Sequence, residues 1–409
     1  MKILYIHQFF TTNEGKGSTR SYDFAKYLIQ QGHVVTVITG NSNLRIKDKI
    51  IGKHLIETFC VDGIKVIALR INYSNYLSYF NRAISFLLFF VLSTYVGIKE
   101  AKHDLVFASS VPLTVGLTGV IIGKLKKTPF IFEVKDLWPE APILVGAVKN
   151  KLLIRILKQM EIFIYKNAAK IITVSPGLSE GVEAAGIESS KIEMIPNSSD
   201  VEQFKPENKG EEFIRKHGLE GKFIISYCGA FGEMNDLTDV IQAARMLKRL
   251  GEGEIVFLLV GDGMKRPVYE KMLEEEKTEN VVLLKFVPKN EVVSIFAASA
   301  VCLVMLKNIP MITYRSSPNK FFDALAAGRA VLVNFDGWMR QLLEENNAGV
   351  FVKPDNPELL ASTVIRLKNN RETCKQMGKN ARKLAVENFN RIKLAGKLEE
   401  VLMAALKNA

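Results

Sequence analysis

Two successive series of short, nearly unbroken apolar runs, with helical patterns between most of them, constrain this chain more than any other feature. The first series places strands near residues 2–6, 34–39, 64–69, 105–108, 130–134, 171–174 and 191–195. Its opening reads as one βαβ unit, with a helix from about Ser18 to Gln31 and Gly32 as its stop. Strands that are apolar on both faces belong in a parallel sheet covered by helices on both sides. After the Pro196-Asn197 turn and a polar stretch at 207–212, a second series follows, at 223–227, 255–260, 281–286, 301–305 and 330–334. A chain of 409 residues suits two such cores. The expected fold is α/β, with two Rossmann-like doubly wound domains at 1–205 and 206–390. Ligands of such sheets bind beyond the carboxyl ends of the strands, so two facing domains would place a joint site in the cleft between them.

Composition narrows the function. There is no CxxC pair among Cys60, Cys228, Cys302 and Cys374, which favours a reducing cytoplasm. The five histidines show no ligand spacing and no Asp-x-Asp occurs, so no metal is expected. Met1 runs straight into the first strand, leaving no room for a signal peptide, and the chain is expected not to be exported. The formal charge is +12, and residues 1–205 hold 25 Lys and Arg against 17 Asp and Glu. A basic surface suits anionic lipid, phosphorylated substrates or nucleic acid, but no helix-turn-helix, zinc-finger or RNP-like pattern supports nucleic acid.

Several segments carry chemistry. Gly15 and Gly17 lie between the first strand and a helix that Ser18 can cap, where backbone N–H groups could meet an anion. Glu133, Lys135 and Asp136 follow the 130–134 strand, at the edge where α/β folds gather catalytic groups. Either Glu133 or Asp136 could orient an acceptor hydroxyl or take its proton. Gly229 and Gly232 follow the first strand of the second domain, where side chains would obstruct a phosphate or sugar. Pro318 and Asn319 open a helix at 320–327, whose N–H groups can hold a diphosphate without metal, and Lys320 adds positive charge. Lys265 or Arg266 could add more.

These segments are, in order, His7-Gln8-Phe9-Phe10, Gly15 to Arg20, Phe132 to Glu140 with its Asp-Leu-Trp-Pro-Glu run, Ile195-Pro196-Asn197, Tyr227 to Gly232 and Ser316 to Gly328. Together they resemble glycosyltransferase family 4, and the first and third are similar to its WbuB-like branch, which builds bacterial surface polysaccharides such as O-antigen. The resemblance implies a GT-B fold whose last helix, about 391–406, crosses back onto the first domain. It implies a retaining, metal-independent hexosyltransferase whose co-substrate is a nucleotide sugar, a UDP-sugar carrying an N-acetylated or deoxyamino sugar. The acceptor it suggests is an undecaprenyl-diphosphate-linked saccharide. Asp323 matches the second acid of the family's Glu-x7-Glu motif, which implies a bond to the nucleotide ribose. Arg315 stands where the first acid is expected, and Lys135-Asp136 where many members show His-Asp. Arg20 and Lys135 fall on the acceptor side. A 2-epimerase of similar fold and a non-catalytic nucleotide-sugar-binding subunit are the alternatives.

Residues 83–98 are 16 uncharged residues between Arg82 and Lys99, led in by Tyr73, Tyr76, Tyr79 and Phe80. As a helix they would reach about 24 Å, short of the roughly 30 Å hydrocarbon core. Basic residues between 149 and 170 alternate with apolar ones in a helical pattern. Both suggest peripheral attachment to an anionic membrane at the cytoplasmic face, with Phe86, Leu87, Phe89 and Phe90 entering the lipid.

Overall fold

The computed structural model describes residues 1–407 apart from Lys16, Lys47, Asp48, Ile50, Asn75, Leu137, Val145, Lys209, Glu276 and Lys277, and leaves out the Ala141 side chain. Lys16 and Leu137, inside two of the motifs above, thus lie outside the described residues. The chain divides into two compact units, Met1–Pro196 with Ile392–Ala409, and Asn197–Arg391.

The first unit is built on eight strands: β1 (Lys2–Ile6), β2 (Val34–Gly40), β3 (Ile56–Val61), β4 (Ile64–Leu69), β5 (Leu105–Ser109), β6 (Phe130–Val134), β7 (Lys170–Thr173) and β8 (Ile192–Met194). Their order is β3-β4-β2-β1-β5-β6-β7-β8, and every pairing is parallel except β3 with β4. β1 shows why these strands read as apolar runs. Ile3 and Tyr5 enter the core on one side, Leu4 and Ile6 the core on the other. The helix Arg391–Lys407 packs on the Ile3 side, burying Leu394, Leu398 and Leu402, so the C-terminal helix does pack back.

The opposite side carries the helix Tyr79–Lys99, longer than the uncharged run suggested. Ser78 caps it, Phe89 and Val96 enter the core, and Gly97 lets Ile122 of the helix Thr114–Lys126 approach, because a Cβ there would stand 2.2 Å from Ile122 Cδ1. Its length and composition would suffice to cross a membrane, yet one side of it is committed to the sheet.

The second unit holds β9 (Phe223–Cys228), β10 (Ile255–Val260), β11 (Val281–Leu284), β12 (Val301–Val304), β13 (Ala330–Val333) and β14 (Gly349–Phe351), all parallel, in the order β11-β10-β9-β12-β13-β14. Two Rossmann-like sheets covered by helices on both faces make up the α/β architecture.

Candidate functional site

In the second unit, the loop after β9 and the helix Asn319–Ala326 meet around one lysine. Lys320 Nζ donates to Tyr227 Oη at 2.6 Å and to Asn235 Oδ1 at 3.0 Å, and lies 3.9 Å from the centre of the Tyr227 ring. Burial pulls its pKa down to about 7, opposed only by Cys228, and among the described residues no carboxylate pairs with it. A Cβ on Gly229 would stand 2.8 Å from Lys320 Nζ, so the glycine makes room for the lysine; nothing lies within 4 Å of one on Gly232. Pro318 precedes a helix that begins at Asn319, and no side chain caps it. The first-turn N–H groups of such a helix lie at the positive end of its dipole, so together with Lys320 they give the start of this helix a positive potential. Asn197 braces the turn before the helix by donating to Ser317 O, and Trp338 Nε1 donates to Ser316 O at 3.0 Å. Arg315 ends the preceding short helix, Pro310–Arg315.

Asp323, on the same helix, is buried. One oxygen accepts from Ser199 Oγ at 2.8 Å, and the other pairs with Lys289 Nζ. Both carboxylate oxygens of Asp323 are thus engaged within the protein, one of them by Lys289, a partner the sequence did not reveal. Two cations singled out in the sequence have protein partners. Lys265 is paired with Glu233 at 3.0 Å. Arg266 holds Glu270 and donates to the carbonyls of Gly261 and Leu284, tying two loops together.

In the first unit, the carboxyl edge of the sheet gathers a buried polar cluster. Glu133 is fully buried. Its Oε1 accepts from Arg20 Nε at 2.8 Å, and its Oε2 accepts from Ser109 Oγ at 2.5 Å with Lys135 Nζ at 3.4 Å. Burial pushes this carboxyl up, but Lys135, Arg20 and the two hydrogen bonds outweigh it and hold the pKa at about 2. A base that weak, with no exposure, cannot serve an acceptor, so Glu133 is corrected to a positioning residue. Arg20 is corrected with it: besides Glu133 it donates to Ile195 O and Pro196 O, and its guanidinium lies over Phe24.

Lys135 keeps some solvent contact and touches Glu133, Ser21 Oγ and the ring of His7, each at 3.4 Å. His7, at the end of β1, also shares a hydrogen bond with Ser21 Oγ at 2.9 Å. Burial and then Lys135 hold its pKa well below the usual value, so the ring is neutral. The imidazole missing from the Lys135-Asp136 motif is thus brought to Lys135 from another strand. Asp136 reaches solvent just beyond β6, yet the protein crowding it raises its carboxyl to about 6, with Lys135 pulling the other way.

Before the first helix, Gly15 sits where the packing leaves no room for a side chain. A Cβ on Gly15 would overlap Thr11 Oγ1 at 1.8 Å, and the Gly15 N–H already donates to Thr12 O. Gly17 takes a φ of +108°, which only glycine adopts readily. The helix starts at Arg20, whose N–H donates to Ser18 Oγ at 3.4 Å, while the Thr19 side chain makes no cap bond.

Phe89 is likewise corrected: it is 0% exposed, in the core. Phe86 and Phe90 are half-buried, while Leu87 is 58% exposed. The outward stripe is Phe80, Ile84, Leu87, Leu88, Val91, Tyr95 and Ile98, spaced as one helix face.

Two family models match, Glycosyltransferase Family 4 over residues 17–203 and Glycosyl transferases group 1 over residues 209–384. The chain belongs to glycosyltransferase family 4. It is a glycosyltransferase that uses a nucleotide-sugar donor, with the GT-B fold. It is similar to the Escherichia coli UDP-Gal:alpha-D-GlcNAc-diphosphoundecaprenol alpha-1,3-galactosyltransferase, at 22% identity over 78% of this chain and 80% of that one. The Acholeplasma laidlawii alpha-monoglucosyldiacylglycerol synthase is 26% identical over 37% of this chain and 39% of that one. Among solved structures, HepE of Anabaena in complex with UDP-glucose superimposes with a TM-score of 0.71 at 15% identity, covering 99% of this chain and 100% of that one. The sucrose-phosphate synthase of Thermosynechococcus elongatus reaches 0.75 at 16% identity over both full chains. Among the described residues no group of three or more His, Cys, Asp or Glu could hold a metal ion.

Proposed function

We propose that this glycosyltransferase moves a sugar, with retention, from a UDP-sugar to a lipid-diphosphate-linked saccharide at an anionic membrane surface, without a metal ion. The observation that carries the donor side is Lys320, half-buried at the uncapped start of the helix Asn319–Ala326 with no carboxylate partner among the described residues. As the bond to the transferred sugar breaks, charge grows on the departing diphosphate, and Lys320 with the first-turn N–H groups stabilises it there. Asp323 and Lys289 receive the ribose. In the first unit, Asp136 takes up or orients the acceptor hydroxyl, and Lys135 and neutral His7 set the field around it. UDP as the nucleotide is supported by the HepE complex, and the acceptor class by the Escherichia coli relative.

The surface of the first unit supports attachment to lipid. Beside the exposed stripe of the helix Tyr79–Lys99, the helix Lys151–Asn167 exposes Leu152, Leu153, Ile156 and Phe163 among Lys151, Arg155, Lys158 and Lys166. A recess of about 460 Å³, lined by Lys124, Lys127, Lys166 and Lys191, adjoins the end of that helix. Apolar side chains that enter lipid, ringed by lysines that meet anionic headgroups, are the chemistry of a membrane-surface face.

The test incubates the purified chain, in chelator, with α-D-GlcNAc-diphosphoundecaprenol and either UDP-glucose or UDP-galactose. A disaccharide on the lipid with release of UDP is expected. Conversion of the nucleotide sugar without acceptor, or activity only after magnesium or manganese is added, would overturn the proposal.

A further inference from the structure

Four rings from four separate elements form a continuous row at the carboxyl edge of the first unit's sheet. Phe9, after β1, lies 4.7 Å from Tyr73, after β4; Tyr73 stacks on Phe86 of the helix Tyr79–Lys99 at 5.8 Å; and Phe86 meets the edge of Trp138, after β6, at 6.0 Å. All four are half-buried, so each keeps an open face or edge. The row begins and ends beside the polar cluster. Phe9 is two residues from His7, Trp138 is two residues from Asp136, and His7 and Lys135 are 3.4 Å apart.

A site that pairs aromatic faces with polar groups such as Lys135 and Asp136 matches a ligand that has an apolar face and a hydroxyl edge. A pyranose ring has both: its axial C–H bonds present a weakly positive face to aromatic π-clouds, and its equatorial hydroxyls spread around the rim.

We propose that Phe9, Tyr73, Phe86 and Trp138 form the platform on which the acceptor's terminal sugar stacks. This rests on the acceptor being a lipid-linked saccharide, as proposed above. The platform sets the ring so that one hydroxyl reaches Asp136, which makes these residues determinants of acceptor choice and linkage. It also gives Phe86 a role distinct from membrane insertion. The outward stripe of its helix meets lipid, while Phe86 faces the reacting sugar.

Trp138 and Trp338 are the chain's two tryptophans, so Trp338→Phe leaves Trp138 as the sole fluorescent reporter. In that background, α-D-GlcNAc-diphosphoundecaprenol in detergent micelles should shift Trp138 emission, whereas sugar-free undecaprenyl diphosphate and UDP-glucose should not. In the otherwise native enzyme, Tyr73→Leu, which keeps apolar bulk but removes the ring face, should raise KM for the lipid-linked sugar about tenfold, leaving KM for UDP-glucose unchanged. Tyr73→Phe should restore the native KM. An equal emission shift with the sugar-free lipid assigns the platform to the isoprenoid chain and overturns the proposal, as does turnover of the probe with no Trp138 response or an unchanged KM in Tyr73→Leu. If the native chain neither binds nor glycosylates the probe, the acceptor reading itself fails and the platform assignment falls with it.

Discussion

Replacing Lys320 with methionine, and separately varying pH, tests the donor site through one titration. The lysine's pKa of about 7 belongs to the unliganded protein, and only the charged form attracts the diphosphate. A bound diphosphate favours that charged form and raises the pKa, so affinity is highest well below pH 7 and declines as pH rises through it. From a pKa of 7, the charged fraction falls from about nine in ten at pH 6 to about one in ten at pH 8. The expected loss of affinity is close to tenfold, or about 1.4 kcal/mol. UDP-glucose is the right ligand, because its diphosphate, esterified at both ends, has no ionisation in this range. Titration calorimetry on native protein, Lys320→Met and Lys320→Arg between pH 6 and pH 8 gives the slopes. Lys320→Met should bind weakly at every pH, and Lys320→Arg, always charged, should bind without the slope. A flat native profile, or a full slope retained in Lys320→Met, would refute the placement of the diphosphate at this lysine.

The remaining expectations use other assays. With Asp136 at about 6, kcat/KM should fall as pH drops through 6 and that limb should vanish in Asp136→Asn; an unchanged limb would clear this carboxylate of a role. Lys289→Ala should weaken UDP-glucose binding several-fold, as should Asp323→Ala, and the double variant should lose little more than either single one if the two act as a unit; additive losses would separate them. Glu133→Gln should cost about 3 kcal/mol in urea unfolding at neutral pH. Because its folded pKa of about 2 lies below the ordinary 4.5, that difference should be complete above pH 4.5 and shrink as pH falls towards 2. Replacing Leu87, Leu88 and Val91 together by serine should release the protein from anionic vesicles while UDP-glucose binding persists; continued sedimentation would place the lipid contact elsewhere.

Both doubly wound sheets were legible because buried parallel strands write themselves as apolar runs. β3 was not, because it is an antiparallel edge strand whose residues are exposed or half-buried, so Ile56–Val61 carries no such run. β14 escaped because three half-buried residues are too few to show a period. In the second unit, Pro318 and Gly328 bracketed the helix that carries Lys320, since local chain chemistry marks helix ends. The partners that decide what each charge does were invisible. Arg20 and Glu133 are 113 residues apart in sequence, and Lys289 and Asp323 34 apart, so their pairing emerges only when the strands and helices are laid side by side. The apolar segment was found as a block but not its facing, and so Phe89 was expected in lipid while Leu88 and Val91 of the outward stripe were not singled out.

The helix Arg391–Lys407 gives synthesis an order of events. Leu398 and Leu402 belong to the core shared with Ile3 and Tyr5 of β1, which leaves the ribosome long before them. At about 5–20 residues per second, roughly 10–40 s separate the emergence of Pro196 from that of Ile392. During that interval the first unit stands with one flank of its sheet covered only in part, by the helix Arg20–Gln30, while the second unit can already fold. The nascent chain thus carries open apolar surface until the helix Arg391–Lys407 arrives, and that interval is when it has most need of a chaperone.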